Sequence, residues 1–199
     1  MSEWIAFGIE WTAALFGVLC VVLTIRRNVW CWPAGLVQVL LFIYIFYNAK
    51  LYSDLLLHVV YVVLQFYGWW AWLHGGGEGK PLEISRLSMV SAIGWVCAGL
   101  FGVFGLGYVM DTWTDASLAY WDAATTVLSL IATYLLARKV LENWVVWISV
   151  DVLCIGIYSY KGLHVTTGLY SIFLVLAITG LITWVRTLKK EVKQVPVAV

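Results

Sequence analysis

The chain has 199 residues, 63% of them hydrophobic, with a mean hydropathy of +0.91 and a formal net charge of +1. That composition excludes an ordinary soluble domain. The near-zero charge excludes the broad basic surface that nucleic acid requires. A membrane span needs about 20 mostly apolar residues, and seven such stretches follow one another, at roughly 4–25, 30–48, 54–73, 87–110, 117–137, 144–160 and 165–185.

The first span carries Glu10. It does not read as a cleavable signal peptide, because Glu3 stands where a basic region belongs and the apolar run is too long. The second span places Gln38 near mid-depth. In the third, Asp54, His58, Tyr61, Gln65, Gly68 and Trp72 follow steps of four, three, four, three and four. They form one continuous helical stripe. Trp69 lies beside it.

The glycine-rich segment from His74 to Pro81 lacks the spacing of a phosphate loop and reads as a flexible cytoplasmic linker. The fourth span bridges to the fifth, where Asp122, Thr126, Ser129 and Thr133 share a face. The sixth holds a second stripe of Trp144, Trp147, Asp151, Cys154 and Tyr158.

Polar groups inside a membrane are costly and usually face a bundle interior or a water-filled path. Each also has a plainer reading. Ser and Thr bond their own backbone or a neighbouring helix, and Gln38 and Gln65 can serve packing. Asp54 and His58 could form a surface pair. The tryptophans could be bulky packing or, as at Trp4, Trp113 and Trp184, interfacial anchors. Asp151 is different, because a carboxylate in the middle of an apolar segment needs a partner or water. Tryptophan beside a carboxylate suits a flat cationic or aromatic ligand.

The four cysteines show no paired spacing and read as reduced packing residues, and the three histidines lack metal-ligand spacing. No cofactor is expected. No nucleophile–base pair has workable spacing, so an enzyme is the least expected class.

A shift of 112 residues lays Glu10 on Asp122, Arg26-Arg27 on Arg138-Lys139, Trp32 on Trp144, Gly68 on Gly180 and Trp72 on Trp184. Two three-span copies joined by one bridging span keep the same orientation, giving a 3+1+3 parallel repeat. The expected fold is an all-α integral membrane protein with seven transmembrane helices. The expected organisation is residues 1–74 as first repeat, 75–116 as linker and bridging helix, 117–186 as second repeat, and 187–199 as cytoplasmic tail. Small sugar facilitators of the SWEET class use such repeats, with substrate near the midplane. A transporter is therefore expected over a receptor or scaffold, which has no use for a carboxylate in the bilayer. Alternating sides gathers ten of the twelve Lys and Arg residues on one face, leaving Lys50 and Lys161 on the other. Cytoplasmic loops collect such residues, so the N-terminus is expected outside and the C-terminus inside.

Five segments resemble the PnuC nicotinamide riboside transporters: 50–57 with 67–72, then 120–123 with 127–130, and 138–147 most specifically. The resemblance runs from about residue 8 to 186. It implies facilitated diffusion of nicotinamide riboside across a bacterial inner membrane, trapping by a cytoplasmic riboside kinase, and a homo-oligomer, expected to be a trimer. Carried onto these segments and stripes, substrate-binding residues are Gln38, Tyr61, Gln65, Trp69, Trp121, Asp122, Asn143, Trp147 and Asp151. Glu10, Asp54, His58 and Tyr158 are gate or structural candidates. Family members often have Asn in place of Asp151. Relatives of the fold imply thiamine, another vitamin or a sugar as the alternative cargo. The riboside has a fixed pyridinium charge, an amide and ribose hydroxyls, which Trp, Gln and Asp suit. A phosphorylated nucleotide would call for Arg or Lys inside the spans, and none lies at mid-depth.

Overall fold

The computed structural model describes the backbone of residues 3–50, 52–77, 80–114 and 118–194. Among the described residues are seven α-helices: α1 Glu3–Ile25, α2 Cys31–Ala49, α3 Tyr52–His74, α4 Met89–Trp113, α5 Ala119–Ala137, α6 Asn143–Tyr160 and α7 His164–Gln194. The seven predicted spans each find a helix. α7 runs nine residues past its predicted end, carrying Arg186, Lys189 and Lys190 along it. Six helices are long and apolar enough to cross a membrane. α5 is the exception, because Asp122, Thr125, Thr126, Ser129 and Thr133 dilute it. It packs against both α4 and α6, so protein covers much of what lipid would otherwise meet.

The chain forms two compact units, Met1–Glu83 and Ile84–Val199. In the first, α2 packs against both α1 and α3; in the second, α4, α5, α6 and α7 pack in succession. Helix starts at 31 and 143, starts at 52 and 164, and ends at 25 and 137 are each 112 residues apart.

Local geometry recurs at the same spacing. α1 ends with Asn28 N–H donating to Leu23 O at 2.9 Å and Arg27 N–H to Thr24 O at 2.9 Å. α5 ends with Val140 N–H to Leu135 O at 2.9 Å and Lys139 N–H to Leu136 O at 2.8 Å. Both are Schellman ends, which satisfy carbonyls that the helix leaves over. The left-handed position is usually glycine, yet here Arg27 (φ 58°) and Lys139 (φ 53°) occupy it. A basic residue there meets the negative end of the helix dipole, which offsets part of the backbone strain. α6 ends in the same way, with Gly162 (φ 70°).

Packing inside each unit centres on one indole. Trp32 of α2 lies on Gly68 of α3, and Trp144 of α6 lies on Gly180 of α7. A side chain at either glycine would enter the indole ring. Trp32 meets Trp72 edge-on at 5.6 Å and 86°, and Trp144 meets Trp184 at 5.5 Å and 87°. All four tryptophans are buried. Trp184, expected as an interfacial anchor, is therefore a core residue at 0% exposure. α4 approaches α5 through Gly102 against Val127 and Gly107 against Tyr120, small residues again admitting a close neighbour.

The segment after the glycines is held, not loose. Ser85 forms a parallel bridge with Val140, donating to Lys139 O at 3.1 Å and accepting from Leu141 N–H at 2.9 Å. The Glu142 carboxylate accepts from Arg86 Nε at 3.3 Å and from Leu87 N–H at 3.0 Å. Ser88 then caps α4, accepting from Ser91 N–H at 3.1 Å.

Gly180→Ala should lower the stability of the purified protein by about 1–3 kcal/mol, the usual result of overpacking, read as a lower melting temperature. Gly94→Ala, where nothing lies within 4 Å of the added carbon, is the control and should not. Glu142→Ala should expose residues 80–88 to protease several times faster than in the parent, because it removes a carboxylate that satisfies a backbone N–H.

Candidate substrate site

In the first unit two side-chain amides sit over glycines of the neighbouring helix. A Cβ at Gly17 of α1 would lie 2.7 Å from Gln38 Nε2, and one at Gly35 of α2 would lie 2.6 Å from Gln65 Nε2. These glycines admit an amide between packed helices. Gln65 Oε1 is buried and without a hydrogen-bond partner. His58 lies among Phe42, Phe46 and Tyr61, with ring centroids at 5.6, 4.9 and 5.5 Å. Trp69 is half-buried and Glu10 is exposed. The Asp54 side chain lies outside the described residues, so the pair expected with His58 does too.

In the second unit the polar groups gather on α5, α6 and α7. Asp151 of α6 is 4% exposed and forms no hydrogen bond or ion pair with any described residue. One turn on, Cys154 of α6 is also buried, and Tyr170 of α7 lies beside this face through its contact with Tyr158. Tyr170 stacks on Tyr158 at 5.3 Å and 28°. Asp122, in the first turn of α5, pairs with Lys161 at 3.8 Å. The cluster thus holds two carboxyl groups and one ammonium.

Trp147 is half-buried one turn before Asp151. Asn143 sits at the start of α6, eight residues before Asp151, or about 12 Å along the axis at 1.5 Å per residue. It is fully buried, and its Nδ2 donates to Val140 O at 2.6 Å, tying the α5–α6 turn. Among the described residues its Oδ1 has no hydrogen-bond partner, and neither does the buried Nε1 of Trp144 or of Trp32. Trp121 is 53% exposed and lines an open cavity of about 350 Å³ with Tyr160, Leu153 and Gly156.

Buried polar atoms are nearly always hydrogen-bonded, and exceptions call for an explanation. The exceptions among the described residues are Gln65 Oε1, Asn143 Oδ1 and the two indole N–H groups. Asp151, 4% exposed and without a hydrogen bond or ion pair to any described residue, adds a carboxyl that is costly to keep in so apolar a setting. The arrangement suits a solute that brings donors or positive charge to it.

A family model described as nicotinamide mononucleotide transporter matches residues 8–186. The chain belongs to this family. It is a family of transporters and not of enzymes. The chain is 29% identical to the nicotinamide riboside transporter PnuC of Escherichia coli (strain K12), over 92% of this chain and 87% of that one. It is 24% identical to the riboflavin/roseoflavin transporter RibM of Streptomyces davaonensis, over 85% and 81%. A crystal structure described as the vitamin B3 transporter PnuC superposes with a TM-score of 0.73 at 25% identity, covering 95% of this chain and 83% of that one. The PnuC resemblance of segments 67–72, 120–123 and 138–147 leads to the same family. The chain is thus a multi-pass membrane protein.

Two residues escaped the sequence reading. Tyr170 joins the cluster from α7. Its spacing of seven to Ala177 and again to Trp184 puts all three on one helix face. Lys161 entered only as a topology count.

Replacing Asp151 with Leu should weaken substrate binding about tenfold or more, the usual loss for a hydrogen bond to a charged group. The same change should raise the melting temperature of the substrate-free protein, since it removes a buried unpaired polar group. Calorimetric binding and a thermal melt on one preparation measure both; unchanged affinity would remove Asp151 from the site.

Proposed function

We propose that the chain carries nicotinamide riboside across a bacterial inner membrane by facilitated diffusion. The observation that carries this reading is Asp151, a buried carboxyl with no partner among the described residues, on a spanning helix of a transporter-family chain. The pyridinium charge and ribose hydroxyls of the riboside answer a carboxyl group, and its carboxamide answers an unpaired amide oxygen such as that of Gln65. Gln38, Tyr61, Gln65 and Trp69 from the first unit, and Trp121, Asp122, Asn143, Trp147 and Asp151 from the second, are the substrate-contacting set. Glu10, Asp54, His58 and Tyr158 guard or shape access.

The family description names the mononucleotide, but the predicted spans hold no Lys or Arg to meet a phosphate at mid-depth. The substrate for which the Escherichia coli relative is named favours the riboside. A second reading, a different small vitamin on the same frame, is favoured by the likeness to RibM.

The recurrence of helix starts, Schellman ends and Trp–Gly contacts at a spacing of 112 residues supports a 3+1+3 parallel repeat like that of the SWEET class. The basic loops and the basic end of α7 support an outside N-terminus and a cytoplasmic C-terminus. Trapping by a cytoplasmic riboside kinase and assembly as a trimer complete the reading on the strength of the resemblance.

No ion coupling is needed for uptake of a permanent cation into a negative interior. One charge moving inward gains about 2.3 kcal/mol per 100 mV, or roughly fortyfold accumulation at about 1.4 kcal/mol per decade. Uptake into proteoliposomes should rise with an inside-negative potential and should only equilibrate the riboside at zero potential. Accumulation at zero potential driven by a proton or sodium gradient would show a coupled pump instead. Uptake of riboflavin or thiamine without the riboside would favour the second reading.

A further inference from the structure

Lys161 stands at the C-cap of α6, and its Nζ lies 3.8 Å from Asp122 Oδ1. That separation is an ion pair but too long for a hydrogen bond. The two side chains are 33% and 35% exposed, so water reaches both. The Asp122 carboxylate forms no hydrogen bond with any described residue, which leaves Lys161 as its charged partner among them. The residues next in sequence, Trp121 and Tyr160, both line the open cavity of about 350 Å³. A carboxylate loosely held by a tethered cation therefore adjoins, along the chain, two aromatic rings of one cavity.

We propose that Lys161 is a resident competitor cation that sets how strongly the protein takes a positively charged substrate. With no substrate, the ammonium neutralises Asp122. An arriving pyridinium meets the aromatic faces, which attract cations, and takes over the carboxylate. The lysine swings to water on its flexible stem. The exchange is easy because a solvent-reached pair of this kind contributes only about 0–1 kcal/mol. An uncharged solute has no claim on the carboxylate and leaves the pair intact. Lys161 thus lowers affinity for cations alone, and does so through Asp122 and not through Asp151.

This inference rests on the reading of the substrate as a cation, so the test uses two probes of nearly the same shape. One is nicotinamide riboside; the other is its reduced dihydropyridine form, which carries no charge. Binding of each to purified wild-type, Lys161→Met, Lys161→Gln, Lys161→Arg and Asp122→Asn protein is measured by calorimetry at low and high salt. Removing the lysine charge should tighten the cationic form about threefold to fivefold, roughly 0.7–1 kcal/mol, and leave the neutral form unchanged. Lys161→Arg should behave as wild type. Asp122→Asn should weaken the cationic form alone, and high salt should shrink every difference. Two neutral replacements are included so that the result does not depend on one variant folding. Equal shifts for both probes would make Lys161 a structural cap, and no shift for either would take the pair off the substrate's path; each overturns the proposal. Failure of the wild-type protein to bind either probe would instead overturn the substrate reading beneath it.

Discussion

Lipid tails are as apolar as leucine, so burial alone gives two helices no reason to meet inside a bilayer. Close fit must do it, and here the fit depends on an indole laid across a helix glycine. Trp32 on Gly68 and Trp144 on Gly180 bring the second and third helices of each three-helix set together. The edge-on partners Trp72 and Trp184, four residues beyond each glycine, complete the contact. Aromatic pairs of this geometry add about 0.5–1.5 kcal/mol beyond the area they bury. The turns before these helices repeat the same accuracy, with Arg27 and Lys139 both placed in a conformation that glycine would adopt more readily.

That rigid frame is what allows polar groups to remain unsatisfied. Gln65 Oε1 and Asn143 Oδ1 are buried without partners, and Asp151 is buried without any. A looser bundle would relax until each found a neighbour or water. Under the proposed function, the stability given up at these positions is recovered when the substrate binds. The amides are admitted only because Gly17 and Gly35 leave room on the facing helices. Their substitution would act on the site through packing, without any direct contact to a solute.

The spans were legible because hydrocarbon demands long apolar segments and leaves few alternatives. The 112-residue spacing was legible because Trp and Gly pairs are rare enough to align. The polar stripes placed Asp151 with Cys154 and Tyr158 correctly on one face, because helical periodicity fixes that much. Other features depend on partners that periodicity does not reveal. Asn143 ties the α5–α6 turn because Val140 O comes to it, a contact set by the left-handed Lys139. The ordered run from Ser85 to Leu87 depends on Glu142, more than fifty residues later. α5 looked like any other span, yet among the described helices it is the one not apolar enough to cross a membrane by length and composition, and it packs against a helix on two sides.

The recurrence also has a limit, and the limit bears on function. The framework residues match across 112 positions: Trp32 with Trp144, Gly68 with Gly180, Trp72 with Trp184. Even the ring pair recurs, Phe46–His58 in one copy and Tyr158–Tyr170 in the other. Glu10 matches Asp122, but the deeper polar groups do not match. Asp151 corresponds to Val39, Gln38 to Val150, and Gln65 to Ala177, and these three apolar counterparts are all buried. A solute with a charged ring at one end and hydroxyls at the other has no twofold symmetry, so a lining that recognises it cannot have one either. The packing contacts keep the same residues at both ends of the 112-residue spacing, while buried positions outside those contacts differ. Positions 38, 65 and 151, among the substrate contacts proposed above, are three of those that differ. A frame shared by relatives named for riboside and for riboflavin transport is what such a division between packing and recognition produces.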